Sequence, residues 1–193
     1  MRLSSGTLAL RQSTRFPQDG EVTLVLSPER PMKAQIALRI PSWSERTVVR
    51  VNGKDVDGVR SGSYCVLDRE WKEGDEIDLT FDLTARIERI EGNEAVAAIT
   101  RGPIVLARDS RFADGAVDEP LFLSDKDGIV ELEPIEAPAP MWMAFKLTCL
   151  SGYYQDWTAD RREIHLCDFA SAGNTWDEHE RYRTWLPMLY VPH

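Results

Sequence analysis

A strict alternation of apolar and polar side chains is the feature of this sequence that most constrains its fold. Between positions 76 and 83 every second residue is apolar, and the residues between them are charged or hydroxylated. The apolar members are Ile77, Leu79, Phe81 and Leu83. A period of two is that of a β-strand with one buried face. The segments Val22 to Leu26 and Ala34 to Ile40 repeat the pattern, so the sequence predicts half-buried antiparallel strands rather than helices.

Tight-turn sequences separate these predicted strands. Asn52-Gly53 follows the Val49–Val51 segment, and both residues tolerate the positive φ angles that short hairpin turns require. Glu73-Gly74-Asp75 predicts a second reversal, which leads the chain from Trp71 into the next strand. Pro41 ends the strand before it, because proline has no N–H to donate to a neighbouring strand.

The same pattern of short strands and turns continues to the C-terminus. We expect an all-β chain of two consecutive antiparallel β-sandwich domains, jelly-roll-like, over residues 1–84 and 85–193, with roughly 12 to 16 strands in total. The join is predicted at Thr84-Ala85. Loops are predicted over 109–119 and over the proline-rich 133–140. In the second half, strands are predicted near 85–90, 95–100, 104–108, 129–132, 145–150, 163–169 and 182–186.

The overall charge argues against two classes of partner. The formal net charge is −9, so nucleic acid and anionic membrane surfaces would repel the chain at long range. No apolar stretch approaches the roughly 20 residues of a membrane span, and the N-terminus lacks the apolar core of a signal peptide. These features predict no nucleic-acid and no membrane partner, leave the localisation open and slightly favour the cytoplasm.

The search for catalytic and metal-binding motifs is mostly negative. The sequence has no nucleophile elbow, no phosphate-binding glycine loop and no Cys-x-x-Cys pair. Its three cysteines (Cys65, Cys149, Cys167) are widely spaced and are expected to be buried thiols. Asp125-Lys126-Asp127-Gly128 is interpreted as a polar turn rather than a calcium loop, because Leu123 and Pro134 would occupy ligand positions. We therefore assign no catalytic, metal-binding or cofactor-binding residue.

Other titratable residues are better explained by structure than by chemistry. His165 lies in an alternating run and is expected to be a packed or edge residue. The Asp177–Glu180 segment, which includes His179, is expected to be an exposed turn. Acidic pairs such as Glu88 and Glu91 resemble the two carboxylates of a glycosidase in composition only, and solvated strand faces explain them more simply.

Aromatic residues in polar segments are candidates for carbohydrate contact. Trp142, Trp157 and Trp176 lie in loop-like sequence, where an exposed ring could stack on the C–H face of a sugar. Aromatic residues of β-sandwiches more often pack the core or the loops, which is the interpretation we favour for Trp43 and Trp71.

Four motifs, in order and with similar spacing, resemble one family of bacterial glycoside hydrolases. They are Leu38-Arg39-Ile40-Pro41-Ser42-Trp43, Val51-Asn52-Gly53, Arg69-Glu70-Trp71-Lys72-Glu73-Gly74-Asp75 and Thr100-Arg101-Gly102-Pro103-Ile104-Val105. The family is that of the β-L-arabinofuranosidases, glycoside hydrolase family 127 and its relatives, and the resemblance covers essentially the whole chain. It implies a helical barrel followed by two β-sandwiches, the middle and C-terminal domains, to which the two predicted units of this chain correspond.

The resemblance implies that catalysis resides in the barrel, with a cysteine nucleophile beside a zinc ion. None of those residues can be carried over to this chain, so zinc is expected only in the missing domain. We expect a non-catalytic accessory region of an enzyme that acts on arabinofuranose-containing glycans. Its expected partner is the barrel, and the surface that the barrel leaves uncovered would favour a homo-oligomer. The alternatives are a free-standing carbohydrate-binding module and a hydrolase with an unrecognised carboxylate pair.

Overall fold

The computed structural model describes residues 2–3, 6–123, 126–151 and 160–189, and every described strand pair is antiparallel apart from one isolated parallel bridge. The chain divides into two compact units, residues 1–83 and 84–193. The prediction of an all-β chain of antiparallel sheets is confirmed. None of the described residues forms a helix long and apolar enough to cross a membrane.

Eight strands lie in the described part of the first unit, and Asn52-Gly53 forms the predicted hairpin turn between β5 and β6. Asn52 has φ 51° and Gly53 has φ 73°, the pair of positive angles that such a turn needs. The strands are β1 (Arg2–Leu3), β2 (Gly6–Thr14), β3 (Glu21–Pro28), β4 (Met32–Arg39), β5 (Val48–Val51), β6 (Lys54–Asp55), β7 (Tyr64–Trp71) and β8 (Asp75–Thr80).

Two sheets enclose the core of the first unit. One sheet has the strand order β1-β2-β3-β8-β5-β6, and the other pairs β4 with β7. Trp71 is fully buried between them and its indole Nε1–H donates to the carbonyl oxygen of Ala34 at 3.0 Å. Trp43 packs against Phe16 and Phe81. Both tryptophans are therefore structural, as predicted.

One predicted strand is shorter than its sequence pattern. The alternation runs from Ile77 to Leu83, but β8 ends at Thr80. The N–H of Phe81 still donates to the carbonyl oxygen of Gly20 at 2.8 Å, in the register of the β3–β8 pairing, but neither residue belongs to a strand. The Phe81 ring contacts Phe16 and Trp43. Side-chain packing therefore explains why the apolar pattern continues past the last residue of β8.

The second unit is one ten-stranded sheet that curls around its own apolar core. Its central strand order is β12-β15-β16-β11-β10-β9-β13, and β14, β17 and β18 pair beside that path. The strands are β9 (Ala85–Ile90), β10 (Asn93–Arg101), β11 (Ile104–Asp109), β12 (Leu121–Phe122), β13 (Ile129–Val130), β14 (Glu133–Ile135), β15 (Ala144–Ser151), β16 (Asp160–Asp168), β17 (Tyr182–Arg183) and β18 (Leu186–Pro187).

Two of the predicted irregular segments contain short regular elements. Residues 109–119, predicted as a loop, include the single 3-10 turn Ser110–Phe112. The proline-rich segment 133–140 begins with β14, which pairs with β15 through Glu133 to Ile135 before the chain becomes irregular. A second 3-10 turn, Phe169–Ser171, follows β16 directly. These two turns position the polar residues described next.

Candidate functional site

Two of the three predicted sugar-contact residues are exposed in the second unit. Trp142 is 48% exposed and Trp176 is 91% exposed, whereas Trp157 lies outside the described residues. Trp176 has φ 60°, a left-handed backbone conformation that residues other than glycine rarely adopt. The surrounding structure must therefore hold this residue in place.

Hydrogen bonds join the segments that carry these two tryptophans. The backbone N–H of Trp142 donates to Ser171 Oγ at 2.9 Å, and that hydroxyl donates to Asp168 Oδ1 at 2.8 Å. The Asp168 carboxylate also accepts the backbone N–H of Met143 at 2.9 Å. Because Asp168 and Ser171 are buried, these bonds fix the 3-10 turn after β16 against the start of β15.

A buried ion pair supports the same turn from the other side. Arg111 donates to both Asp109 oxygens, at 2.8 and 2.7 Å, and its Nη2 also donates to the carbonyl of Ser171 at 2.7 Å. Burial raises the pKa of Asp109, but hydrogen bonds from Arg111 and from the Gly173 N–H outweigh it and hold the pKa below its ordinary value. Asp109 is therefore an ionised structural anchor rather than a proton donor at neutral pH.

Further exposed aromatic side chains accompany the two tryptophans in this unit. Phe169 is 51% exposed and its ring lies 6.1 Å from that of Tyr182, which is 47% exposed. Trp185 is 42% exposed. We call these residues the aromatic surface: Trp142, Phe169, Trp176, Tyr182 and Trp185. Sequence analysis missed the last two because the segment was interpreted as a single closing strand, whereas the pairing breaks between β17 and β18.

Gly173 allows the Tyr182 ring to pack closely against the backbone. A Cβ atom at this position would lie 2.8 Å from the Tyr182 ring, and the residue has φ 60°. Both the close approach and the left-handed angle require glycine. The Tyr182 ring thus covers the turn that precedes Trp176.

The three cysteines are buried and lie in separate apolar clusters. Burial raises the pKa of all three thiols, to about 11 for Cys149 and about 12 for Cys167. A thiol with such a pKa supplies almost no thiolate at neutral pH, and the thiolate is the nucleophilic form. The prediction of buried free thiols is confirmed, and their environment is the opposite of that of a catalytic cysteine.

The remaining titratable candidates have structural explanations. Lys126 and Ile129 exchange backbone hydrogen bonds around Asp127 and Gly128, which makes this segment a tight turn, although Asp125 lies outside the described residues. His179 is 86% exposed in its turn, and Glu88 is exposed on β9. Within the described ranges, no three His, Cys, Asp or Glu side chains come together as metal ligands. The donor set that zinc would need is thus not formed by these residues.

Comparison with known proteins identifies similarity to one enzyme family. Residues 1–83 match the family model described as "Beta-L-arabinofuranosidase, GH127 middle domain". A structure described as a glycoside hydrolase superposes with a TM-score of 0.78 at 22% identity, over 96% of this chain and 33% of that one. A GH127 β-L-arabinofuranosidase from Geobacillus stearothermophilus T6 superposes with a TM-score of 0.75 at 25% identity, over 98% and 32%.

A third solved structure extends the same result. A GH127 β-arabinofuranosidase superposes with a TM-score of 0.77 at 20% identity, over 97% of this chain and 33% of that one. No curated protein sequence matches the chain. The chain therefore spans about a third of the length of the solved enzymes that it matches.

Proposed function

Residues 1–83 form a middle domain of the GH127 β-L-arabinofuranosidase family, and from this premise we propose that the chain is the non-catalytic β region of a glycoside hydrolase. The enzyme would act on arabinofuranose-containing glycans. One observation carries the proposal: the match covers nearly all of this chain but only a third of each solved enzyme. The other two thirds of those enzymes are available to hold the catalytic machinery.

The chemistry of the chain supports a non-catalytic role for it, with catalysis in another domain of the enzyme. Its cysteines are buried thiols with a raised pKa, and the family's nucleophile is expected to be an ionisable cysteine beside zinc. The Asp109–Arg111 pair and the Asp168–Ser171 bonds hold segments of the fold together. We assign these groups to structure, and we place zinc and the nucleophile in the catalytic domain.

We assign contact with the rest of the enzyme to the aromatic surface. Exposed apolar surface commonly marks an interface, and this surface exposes five large aromatic side chains, two of which are in ring contact. Buried hydrogen bonds fix the backbone at Trp142 and the 3-10 turn that contains Phe169, so little conformational freedom would be lost there when a partner packs on them. The proposed occupant is the catalytic domain, because the matched enzymes carry two further thirds of chain.

An activity assay of the isolated chain tests the lack of catalysis. We expect no turnover of an aryl β-L-arabinofuranoside by this chain, with or without added zinc. Measurable turnover that co-purifies with the chain would contradict the proposal. Sequencing the DNA upstream of this coding region supplies an independent check, since an in-frame helical domain with a cysteine-rich motif is expected.

Docking on the aromatic surface is tested by co-purification of the chain with its catalytic domain. Phe169→Ala and Trp185→Ala are expected to weaken the complex by tenfold or more, because each removes a large apolar side chain from the interface. Tyr64→Ala is the matched control, since Tyr64 is a 63% exposed aromatic residue of the first unit. Equal effects of all three variants would contradict this assignment.

The second candidate function is a free-standing carbohydrate-binding module. The observation in its favour is the 91% exposure of Trp176 on a left-handed backbone, together with the 48% exposure of Trp142. Trp176→Ala should then abolish binding on a glycan array, whereas Phe169→Ala should not. A supporting domain would instead show no saturable sugar affinity that depends on Trp176.

A further inference from the structure

A histidine of β16 lies in the wall of an open groove in the second unit. The groove has a volume of about 500 Å³ and is lined by His165, Phe112 and the irregular segment that contains Ile135, Glu136, Ala137, Pro138 and Ala139. That volume is within the range of about 300 to 1,000 Å³ of small-molecule sites. None of the exposed tryptophans lines it. The groove is therefore separate from Trp142 and Trp176, the two described residues that were predicted to contact sugar.

The orientation of His165 is fixed by an aspartate that lies 51 residues away in sequence. His165 Nδ1 is 3.0 Å from Asp114 Oδ2, and the His165 backbone N–H donates to the same oxygen. An ionised carboxylate only accepts hydrogen bonds, so Nδ1 carries the proton and Nε2 is left for a ligand. Phe112 stacks on the imidazole with ring centroids 5.3 Å apart, which holds the ring plane as well.

Neighbouring charges are already paired. Asp114 Oδ1 is 3.5 Å from Nη2 of Arg108, a fully buried side chain behind it. Lys146, directly opposite His165 on β15, is held by Glu133 at 2.9 Å and by Glu163 at 3.3 Å. Among the described residues no partner binds His165 Nε2 or the Glu136 carboxylate. The side chains that the groove offers to a ligand, Glu136 and the neutral imidazole of His165, are thus acceptors.

The walls between these acceptors are apolar and rigidly supported. Phe112 and Ala137 pack against the buried cluster of Ala107, Met141 and Cys167. Pro138 fixes its own φ angle, and its carbonyl accepts the Met141 N–H at 2.8 Å. A ligand for such a groove must donate several hydrogen bonds while it presents apolar surface to the walls.

We propose that this groove binds a single sugar ring, with hydroxyl groups donating to His165 Nε2 and Glu136 and the C–H face packed on Pro138 and Ala139. A sugar ring combines hydroxyl donors with apolar C–H faces. An ammonium or guanidinium group would also donate, but it would lose hydration against apolar walls that offer it only one exposed carboxylate. The proposal does not depend on the function proposed above, because it concerns binding by this chain alone.

The test is a titration of the intact chain, followed by NMR of the His165 ring protons. The probes are L-arabinose, methyl β-L-arabinofuranoside, D-xylose and an arabino-oligosaccharide, which separate a free monosaccharide from a glycan terminus. Glycerol tests for a non-ring polyol, and Nα-acetyl-L-lysine methyl ester tests for a cation. We expect saturable shifts with at least one sugar and none with glycerol or the lysine ester. Shifts with the lysine ester alone, or with no probe, would overturn the proposal.

Variants separate binding at this groove from binding elsewhere, with ligand-observed NMR as the readout. Glu136→Gln keeps the side-chain shape and is expected to weaken binding about tenfold, as loss of a hydrogen bond to a charged group does. Ala139→Trp fills the groove without touching the Asp114–His165 pair and should abolish binding. His179→Phe is the control at an 86% exposed histidine. Unchanged affinity in Glu136→Gln and Ala139→Trp, with unaltered melting temperatures, would also refute the proposal.

Discussion

At the scale of single residues, the charged groups of the second unit serve mainly to hold irregular backbone. Asp109 is fully buried as a side chain and receives hydrogen bonds from Arg111 and from the Gly173 N–H. Loss of one partner of such a buried pair leaves the other charge without compensation, which costs more free energy than the pair contributes net. The positions of the two turns beside the aromatic surface thus depend on one carboxylate.

We expect Asp109→Asn to lower the free energy of unfolding by about 3–5 kcal/mol at pH 7. The folded-state pKa of Asp109 lies below its ordinary value of 3.8, so its stabilising contribution is present above pH 4. That contribution is lost as the pH falls toward the folded-state pKa. The variant should therefore lose less stability than the wild type between pH 5 and pH 3, as measured by urea unfolding at each pH.

Asp127→Asn is the control for this prediction. Asp127 is exposed with φ 55°, an angle that asparagine adopts readily. The change should alter stability by no more than about 0.5 kcal/mol at either pH. Parallel acid profiles of wild type and Asp109→Asn would show that Asp109 is not the titrating anchor.

At the scale of elements, the two-stranded sheet of β4 and β7 closes the core of the first unit. Its inward residues include Met32, Leu38, Cys65 and Leu67, all buried, and Trp71 at the end of β7. Because two strands alone are marginally stable, this sheet depends on packing against the six-stranded sheet. The Trp71 side chain packs in this core, and its indole N–H also donates a hydrogen bond to the carbonyl of Ala34 on β4.

Trp71→Phe is expected to reduce stability by about 1–3 kcal/mol, because it removes the 3.0 Å indole hydrogen bond and leaves a cavity. The matched substitution Trp176→Phe changes a 91% exposed side chain and should shift stability by no more than about 0.5 kcal/mol. Urea unfolding followed by circular dichroism measures both. Similar losses in the two variants would contradict the role assigned to Trp71.

At the scale of the whole molecule, each unit encloses its own apolar core. Among the described residues, the buried core of the first unit lies between Leu8 and Leu79, and its strand pairs join strands of the same unit. The family model matches residues 1–83, the same residues that form this unit. We therefore expect the first unit to fold without a strand from the second.

A chain of residues 1–83 is accordingly expected to fold alone, with dispersed amide signals in its NMR spectrum and a cooperative thermal transition. Domains of this size bury enough surface to be stable, although with a small margin. Trp71→Phe in this shorter chain supplies the control, since it should lower the melting temperature. A random-coil spectrum of residues 1–83 would show that its core needs the remaining residues.

Local patterns of the sequence are sufficient to predict the strands and several turns. The alternation from Ile77, the Asn52-Gly53 hairpin and the end of β4 before Pro41 depend on neighbouring residues, and the structure contains each of them. The fold class and the family resemblance follow from such local features. Two strand predictions are wrong in their bounds. The apolar pattern continues to Phe81 although β8 ends at Thr80, and the segment predicted as one strand from Tyr182 to Leu186 forms two short strands.

The sequence by itself determined an all-β chain, several of its turns, its buried thiols and its resemblance to one enzyme family. Only the tertiary structure decided which side chains meet or stay exposed. Asp114 reaches His165 across 51 residues, and Asp109 reaches Gly173 across 64. Periodicity specifies which face of a strand is apolar, but contacts between distant segments depend on how the sheet curls and on where each loop returns. The groove beside His165 and the aromatic surface are products of that long-range geometry.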